Sequence, residues 1–200
     1  MKSKQVGKCI IIVIGEGRVG KSSIISRFDS NTFTQNTLIT LGVDFIEKTI
    51  TLKNKKEISL KIFDTAGQER YQTITKSFYK KANGAFIVYS INDKTSFERV
   101  SHWLEQVKEN SPESTTIYLI GNKCDDEKNR VVPKSKGEEL AKKYNIKFYE
   151  TSAKKNINVE TIFIDIATEI NNMDENPEST NSNIVLSRNN SQKNSRKGCC

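Results

Sequence analysis

Cys9-Ile10-Ile11-Ile12-Val13-Ile14-Gly15-Glu16-Gly17-Arg18-Val19-Gly20-Lys21-Ser22 reads as a strand, a turn and the first residues of a helix. Residues 9 to 14 form an unbroken apolar, mostly β-branched run, the pattern of a strand buried on both faces. Gly15 to Ser22 then matches the full phosphate-loop spacing, with Lys-Ser directly after the last glycine. Glycines let such a loop wrap phosphates, and its N–H groups and the positive end of the next helix hold phosphate oxygens. Lys21 is placed to reach the β- and γ-oxygens, and the Ser22 hydroxyl to ligate Mg²⁺. A glycine turn of chance composition has no reason to carry Lys-Ser there. The loop alone leaves ATP and GTP equally open.

Outward from this loop, Lys21 to Phe28 reads as a helix with Ile24, Ile25 and Phe28 on its inner side, followed by a polar surface loop from Asp29 to Gly42. Phe45 to Leu52 and Glu57 to Phe63 alternate in polarity around Lys53-Asn54-Lys55-Lys56, which predicts a hairpin at a sheet edge. Buried strands follow at Ala85 to Tyr89, Ile117 to Ile120 and Ile146 to Tyr149. Helices are expected at Gln72 to Lys80, Thr95 to Glu109 with a Thr95/Glu98 capping box, Ser135 to Tyr144, and Val159 to Asn171. This alternation predicts an α/β fold: a six-stranded, mostly parallel sheet with one antiparallel edge strand and helices on both faces. Such sheets bind ligands beyond the carboxyl ends of their strands. The expected organisation is a short extension over 1–7, one domain over 8–171, and a disordered tail over 172–200, where Asn, Ser and Glu dominate.

Asn122-Lys123-Cys124-Asp125 narrows the ligand. An ionised carboxylate at Asp125 accepts two hydrogen bonds, and guanine offers adjacent donors at N1 and N2 where adenine offers neither. A site built on such a pair rejects the wrong base by about 10⁴-fold. Asp64-Thr65-Ala66-Gly67-Gln68 begins where a strand ends. There Asp64 can hold the Mg²⁺ shell, the Gly67 N–H can meet a γ-phosphate oxygen, and Gln68 can orient the attacking water. The plainer reading is a strand-to-turn junction with a glycine hinge, which leaves Gln68 a surface amide.

Composition bounds the alternatives. At 200 residues the chain has room for one well-buried domain. Its net charge of +8 is spread among charges of both signs, with no basic helix or base-stacking aromatic array, so no nucleic-acid partner is expected. The four cysteines, at 9, 124, 199 and 200, have no zinc-site spacing. A small buried thiol is the expectation for Cys9, and a reduced, cytosolic compartment fits. No apolar run approaches the roughly 20 residues of a membrane span, so membrane contact is expected through a covalent lipid.

The phosphate loop, Asp64 to Gln68, Asn122 to Asp125 and Thr151-Ser152-Ala153-Lys154 occur in the order seen in Ras-like small GTPases, and the resemblance covers about residues 8 to 171. Leu41-Gly42-Val43-Asp44-Phe45, Asp64 to Arg70 and Tyr71 to Thr75 resemble Rab signatures. The wording around Gln68 to Thr75 and Tyr149 to Asn158 is most similar to the exocytic, post-Golgi branch, whereas Gly15 to Val19 is closer to endosomal members. The resemblance implies GTP and GDP as substrate and product, Mg²⁺ on Ser22, Thr40 and Asp64, and phosphate contacts from Gly15, Gly17, Arg18, Val19, Gly20, Lys21, Ser22, Ser23, Thr40 and Gly67. It implies Gln68 as the catalytic residue and guanine contacts from Phe33, Asn122, Lys123, Asp125, Ser152, Ala153 and Lys154. Phe33 as a surface ring packed on its own loop is the alternative. The effector surface it implies is Leu41, Gly42, Val43, Asp44, Phe45, Phe63 and Phe78. Phe63 stands where Rabs usually carry tryptophan and Phe78 where they carry tyrosine, so the aromatic surface is altered. Arg18 replaces a small residue and is expected to point to solvent.

The Rab resemblance also implies geranylgeranylation of Cys199 and Cys200, two lipids being needed for lasting attachment. It implies a monomer with effectors, an exchange factor, a GTPase-activating protein, an escort protein and a GDP-dissociation inhibitor as partners, the last two engaging Ile184-Val185-Leu186. Arg188, Lys193, Arg196 and Lys197 would add attraction to an anionic leaflet. The implied location is the cytoplasmic face of an endomembrane or the plasma membrane, with a soluble pool. Two other readings stand beside this one: a GTP-locked scaffold that no longer hydrolyses, and a metabolic P-loop kinase. Intact Gln68, Thr40 and Gly17 oppose the first, and the lack of an arginine-rich lid segment opposes the second.

Overall fold

The computed structural model describes residues 7–34, 43–65 and 77–175. The apolar run around Ile11 becomes β1 (Gly7–Ile14), and the phosphate loop leads into α1 (Lys21–Ser30). Then come β2 (Val43–Thr51), β3 (Glu57–Thr65), β4 (Gly84–Ser90), α2 (Lys94–Glu98), α3 (Val100–Asn110), β5 (Thr116–Asn122), α4 (Lys134–Tyr144), β6 (Lys147–Thr151) and α5 (Val159–Glu175). The six strands form one sheet in the order β2-β3-β1-β4-β5-β6. All pairings are parallel except β2 with β3, whose register runs from Val43 opposite Thr65 to Thr51 opposite Glu57.

β1, β4 and β5, in the middle of the sheet, are buried on both faces, which is why they read as continuous apolar runs, whereas β2 and β3 alternate in polarity. Cys9, Ile11 and Val13 of β1 pack with Ile24, Ile25 and Phe28 of α1 and with Ile162, Phe163 and Ile166 of α5. Ile12 and Ile14 point the other way, into a layer with Val100, Trp103, Leu104 and Val107 of α3 and Ala141 of α4. β1 lies between β3 and β4, where the strand order reverses, so its carboxyl end opens onto the crevice that α/β sheets use for ligands.

The hairpin forms as expected, and its turn is closed by Lys55 at φ 63° and by Asn54, whose Oδ1 accepts from the Lys56 N–H at 3.0 Å. The capping box does not form. Asp93 caps α2 instead, its Oδ1 accepting from the Thr95 and Ser96 N–H groups at 3.0 and 3.2 Å. A carboxylate one position before the helix outcompetes a hydroxyl inside it, and Glu98 pairs with Lys94 at 3.5 Å rather than reaching back. The expected helix over Thr95 to Glu109 is interrupted at Arg99, although Arg99 N–H to Thr95 and Trp103 N–H to Arg99 carbonyl bonds, each 3.2 Å, carry the helical path through. Of the expected helix over Gln72 to Lys80, residues 77–80 are described; 77–79 are helical and Lys80 is in a turn. α5 runs to Glu175, past the boundary expected at Asn172, with Lys56 Nζ bonded to Glu175 Oε1 at 3.0 Å. No described helix is long and apolar enough to cross a membrane.

Candidate nucleotide site

Two glycines let the phosphate loop lie close to its surroundings. Gly15 has φ 140°, and a Cβ there would sit 2.1 Å from the Val88 carbonyl oxygen; Gly20 has φ 98°, and its Cβ would meet Asn122 Nδ2 at 2.3 Å. Both positions exclude a side chain on space and on backbone conformation. Gly20 is the N-cap of α1 and makes no side-chain cap hydrogen bond, so the positive end of that helix faces the loop, the arrangement that favours an anion.

Lys21 is buried, and its ammonium donates to the Gly15 and Glu16 carbonyls at 3.0 and 2.8 Å. Burial pulls its pKa down to about 8, against the opposing pull of the Asp64 and Glu16 carboxylates. A buried cation in a ring of carbonyls and N–H groups fits a polyanionic ligand. Asp64 is buried near the end of β3, level with Val13 of β1, and the Thr65 hydroxyl donates to the Val13 carbonyl at 2.8 Å. Ser22 is the second residue of α1, directly after Lys21. Hydroxyl and carboxylate oxygens are the donors Mg²⁺ takes, with water and phosphate completing its shell, so these residues fit the ion. Arg18 adopts φ 65° and is exposed, as expected from its place in the loop.

The second half of the site sits at the ends of β5 and β6. Asn122 is buried and bridges three segments: its Nδ2 donates to the Val19 carbonyl at 2.9 Å, and its Oδ1 accepts from the Thr151 hydroxyl at 3.1 Å. Lys123, at φ 69°, lays its ammonium on the Arg18 carbonyl at 2.9 Å, so its stem runs from the β5 loop to the phosphate loop. Burial lowers the Lys123 pKa, opposed by Asp93, Asp126 and Asp125. Asp125 Oδ1 accepts from the Ser152 hydroxyl at 2.6 Å, and the same hydroxyl accepts from the Lys155 N–H at 2.9 Å. Paired Ser152 and Ile157 backbone bonds close the loop that carries buried Ala153 and exposed Lys154. The structure therefore brings the phosphate loop, Asn122 to Asp125 and Ser152 to Lys154 to one edge of the sheet. Phe33 is half-buried and leans on the apolar cluster between the sheet, α1 and α5, which favours neither of its two readings.

Thr40, Leu41, Gly42, Gly67 and Gln68 lie outside the described residues, as do Cys199, Cys200, Ile184 to Leu186 and the tail cations. Of the described members of the expected aromatic surface, Phe45 is exposed, Phe78 is half-buried and Phe63 is buried. Phe45 and Phe63 face each other across β2 and β3 with ring centroids 5.8 Å apart, and Phe78 packs on Phe63 at 4.5 Å. Phe45 is 51% exposed, and Lys61 Nζ stands 3.9 Å from its ring centre.

Two side chains with no motif of their own also shape the site. Arg27 of α1 donates from Nε to the Ala153 carbonyl at 2.7 Å, from Nη2 to the Lys154 carbonyl at 3.2 Å, and from Nη1 to the Asn31 carbonyl and Oδ1 at 2.6 and 3.0 Å. Glu16 sends its carboxylate out of the phosphate loop to α3. In sequence the first is one more exposed helical charge and the second an unspecified loop position, so neither carries a signal.

Comparison with known proteins agrees with this geometry. The Ras family model matches residues 10–172. Ras-related protein RABE1e of Arabidopsis thaliana is 45% identical over 161 residues, covering 80% of this chain and 73% of that protein. Ras-related protein Rab-10 of Diplobatis ommata is 47% identical over 160 residues, covering 80% of each. Ras-related protein SEC4 of Candida albicans is 44% identical over 158 residues, covering 79% of this chain and 75% of that protein. With β1, the phosphate loop and the two base-side loops in the matching order, the chain belongs to the Ras family, as a small GTPase of the Rab type that regulates vesicle traffic.

Proposed function

We propose that this GTPase reads guanine through Asp125, with Asn122, Lys123, Ser152, Ala153, Lys154 and Phe33 around the base. In this reading Gly15, Gly17, Arg18, Val19, Gly20, Lys21, Ser22 and Ser23 hold the phosphates together with Thr40 and Gly67. The observation that carries it is the Asn122 bridge: one buried side chain bonds the Val19 carbonyl of the phosphate loop and the Thr151 hydroxyl before Ser152, so base and phosphate subsites share a frame. Mg²⁺, held by Ser22, Thr40 and Asp64, would offset charge on the phosphate oxygens.

Hydrolysis then needs water placed in line with the γ-phosphate and its charge neutralised. Lys21 and the loop N–H groups supply charge, and Gln68 orients the water. Exposed Arg18 is read as pointing to solvent rather than as a built-in arginine finger; in this reading the isolated protein turns over slowly and an activating protein supplies about 10³ to 10⁵ in rate. Thr40 and Gly67 release the switch loops when the γ-phosphate leaves. The GTP form offers Leu41 to Phe45, Phe63 and Phe78 to effectors, and the Phe45–Phe63–Phe78 contacts support that surface. An exchange factor reloads the site, and an escort protein and GDP-dissociation inhibitor handle lipids on Cys199 and Cys200. The domain runs from residue 8 to the end of α5 at Glu175 with a tail after it, anchored at the cytoplasmic face of an endomembrane or the plasma membrane beside a cytosolic pool, and works as a monomer. The wording around Gln68 to Thr75 favours the exocytic branch. Gln68→Leu tests the catalytic assignment: GTP is retained and single-turnover hydrolysis slows, whereas an unchanged rate removes Gln68 from the mechanism.

A further inference from the structure

Glu16 lies within the phosphate loop, yet its side chain makes contacts the phosphate chemistry does not use. Its Oε1 accepts from Trp103 Nε1 at 3.0 Å and from Arg99 Nε at 3.2 Å. Its backbone carbonyl meanwhile accepts from Lys21 Nζ at 2.8 Å. Trp103 is 7% exposed and packed in the apolar layer that also holds Ile14, at the end of β1, and Phe63, beside Asp64. An indole N–H has one donor and no other way to be satisfied in such a place.

We infer that Glu16 is a positioning residue: Trp103 and Arg99 clamp its carboxylate to α3, which fixes the loop backbone around Lys21 and slows release of the bound nucleotide. The clamp ties the phosphate loop to a helix rather than to the ligand, so a partner that shifts α3 loosens the loop without entering the nucleotide site. Two hydrogen bonds to one carboxylate oxygen, one of them from a charged guanidinium, belong to the stronger class of protein hydrogen bonds. This inference rests on the assignment of Gly15 to Ser22 as the phosphate site.

The test uses full-length protein loaded with a fluorescent GDP analogue in Mg²⁺ and chased with excess GDP. Glu16→Ala removes both bonds and is expected to release the analogue about tenfold faster, most of it from the partly buried indole bond because water replaces the exposed Arg99 bond. Trp103→Phe is expected to do nearly the same, and Glu16→Ala/Trp103→Phe to be no faster than Glu16→Ala alone, as a shared interaction requires. Glu16→Gln keeps an acceptor for the indole and is expected to recover to within about threefold of wild type. Because the chain has one tryptophan, its single indole ¹⁵N–H resonance reports the bond directly and is expected to shift in Glu16→Ala. Wild-type release rates in the variants, additive effects in the double variant, or an unmoved indole resonance in Glu16→Ala would overturn the clamp. A wild type that retains no guanine nucleotide would overturn the phosphate-site assignment beneath it.

Discussion

Replacing Arg27 by alanine removes the only described side-chain link between α1 and the Ser152–Lys154 loop that reaches both the Ala153 and Lys154 carbonyls. The four bonds are not equal. The one to the Ala153 carbonyl, 2.7 Å and partly buried, is a charged donor on a neutral acceptor, worth about 1.5–3 kcal/mol. The three to Lys154 and Asn31 are exposed, and water replaces most of each, leaving about 0.2–0.5 kcal/mol apiece. The expected loss is therefore about 2–4.5 kcal/mol in urea unfolding at fixed GDP and Mg²⁺, conditions held constant because bound ligand adds to apparent stability. Part of that loss falls on the nucleotide, because the loop that releases is the one presenting the Ala153 N–H, so GDP dissociation quickens in parallel. Arg27→Lys puts one ammonium where a planar fork spanned two segments and recovers less than half. A change below about 0.5 kcal/mol with unaltered GDP release would refute this reasoning, since it would mean that the loop holds its shape without α1.

Two further outcomes follow from the packing. Gly15→Ala forces a Cβ to 2.1 Å from the Val88 carbonyl at φ 140°, and is expected to cost about 2–4 kcal/mol or prevent folding, read by thermal melting beside the milder Gly7→Ala, whose Cβ meets no atom of the described residues closer than 3.9 Å. Burial and the Asp174 carboxylate push the Cys9 thiol up to about 12 from an ordinary value of 9.0. The fold thus keeps a proton that the unfolded chain loses, so the stability linked to Cys9 is full below pH 9 and is lost as pH rises toward 12. The stability difference between wild type and Cys9→Ala should narrow over that range, and alkylation of native protein at pH 8 should spare Cys9; an unchanged difference, or ready labelling, would contradict its burial.

The sheet was legible because β1, β4 and β5 are buried on both faces and carry little but apolar residues, so their runs announce themselves without periodicity. The phosphate loop was legible for a different reason: Gly15 and Gly20 are demanded by backbone approach to Val88 and Asn122, and no other residue type serves. The capping box was misread because Asp93 and Thr95 are both good caps. Which of them wins depends on where the chain turns out of β4, through the Ser96 hydroxyl that donates to the Asp93 carbonyl and accepts from the Ser90 N–H. Arg27 and Glu16 were invisible as site residues. Their partners lie 126 and 87 positions away at Ala153 and Trp103, and only the folded sheet brings them together.

The most direct test of the account is nucleotide preference in Asp125→Asn. Ser152 orients the Asp125 carboxylate through a 2.6 Å hydrogen bond, and that carboxylate is the proposed reader of guanine N1 and N2. Competitive binding should show GTP weakened by about 100-fold or more and XTP strengthened, because an amide can accept one bond and donate one where the carboxylate accepted two. Unchanged GTP affinity in Asp125→Asn would contradict the base-reading role.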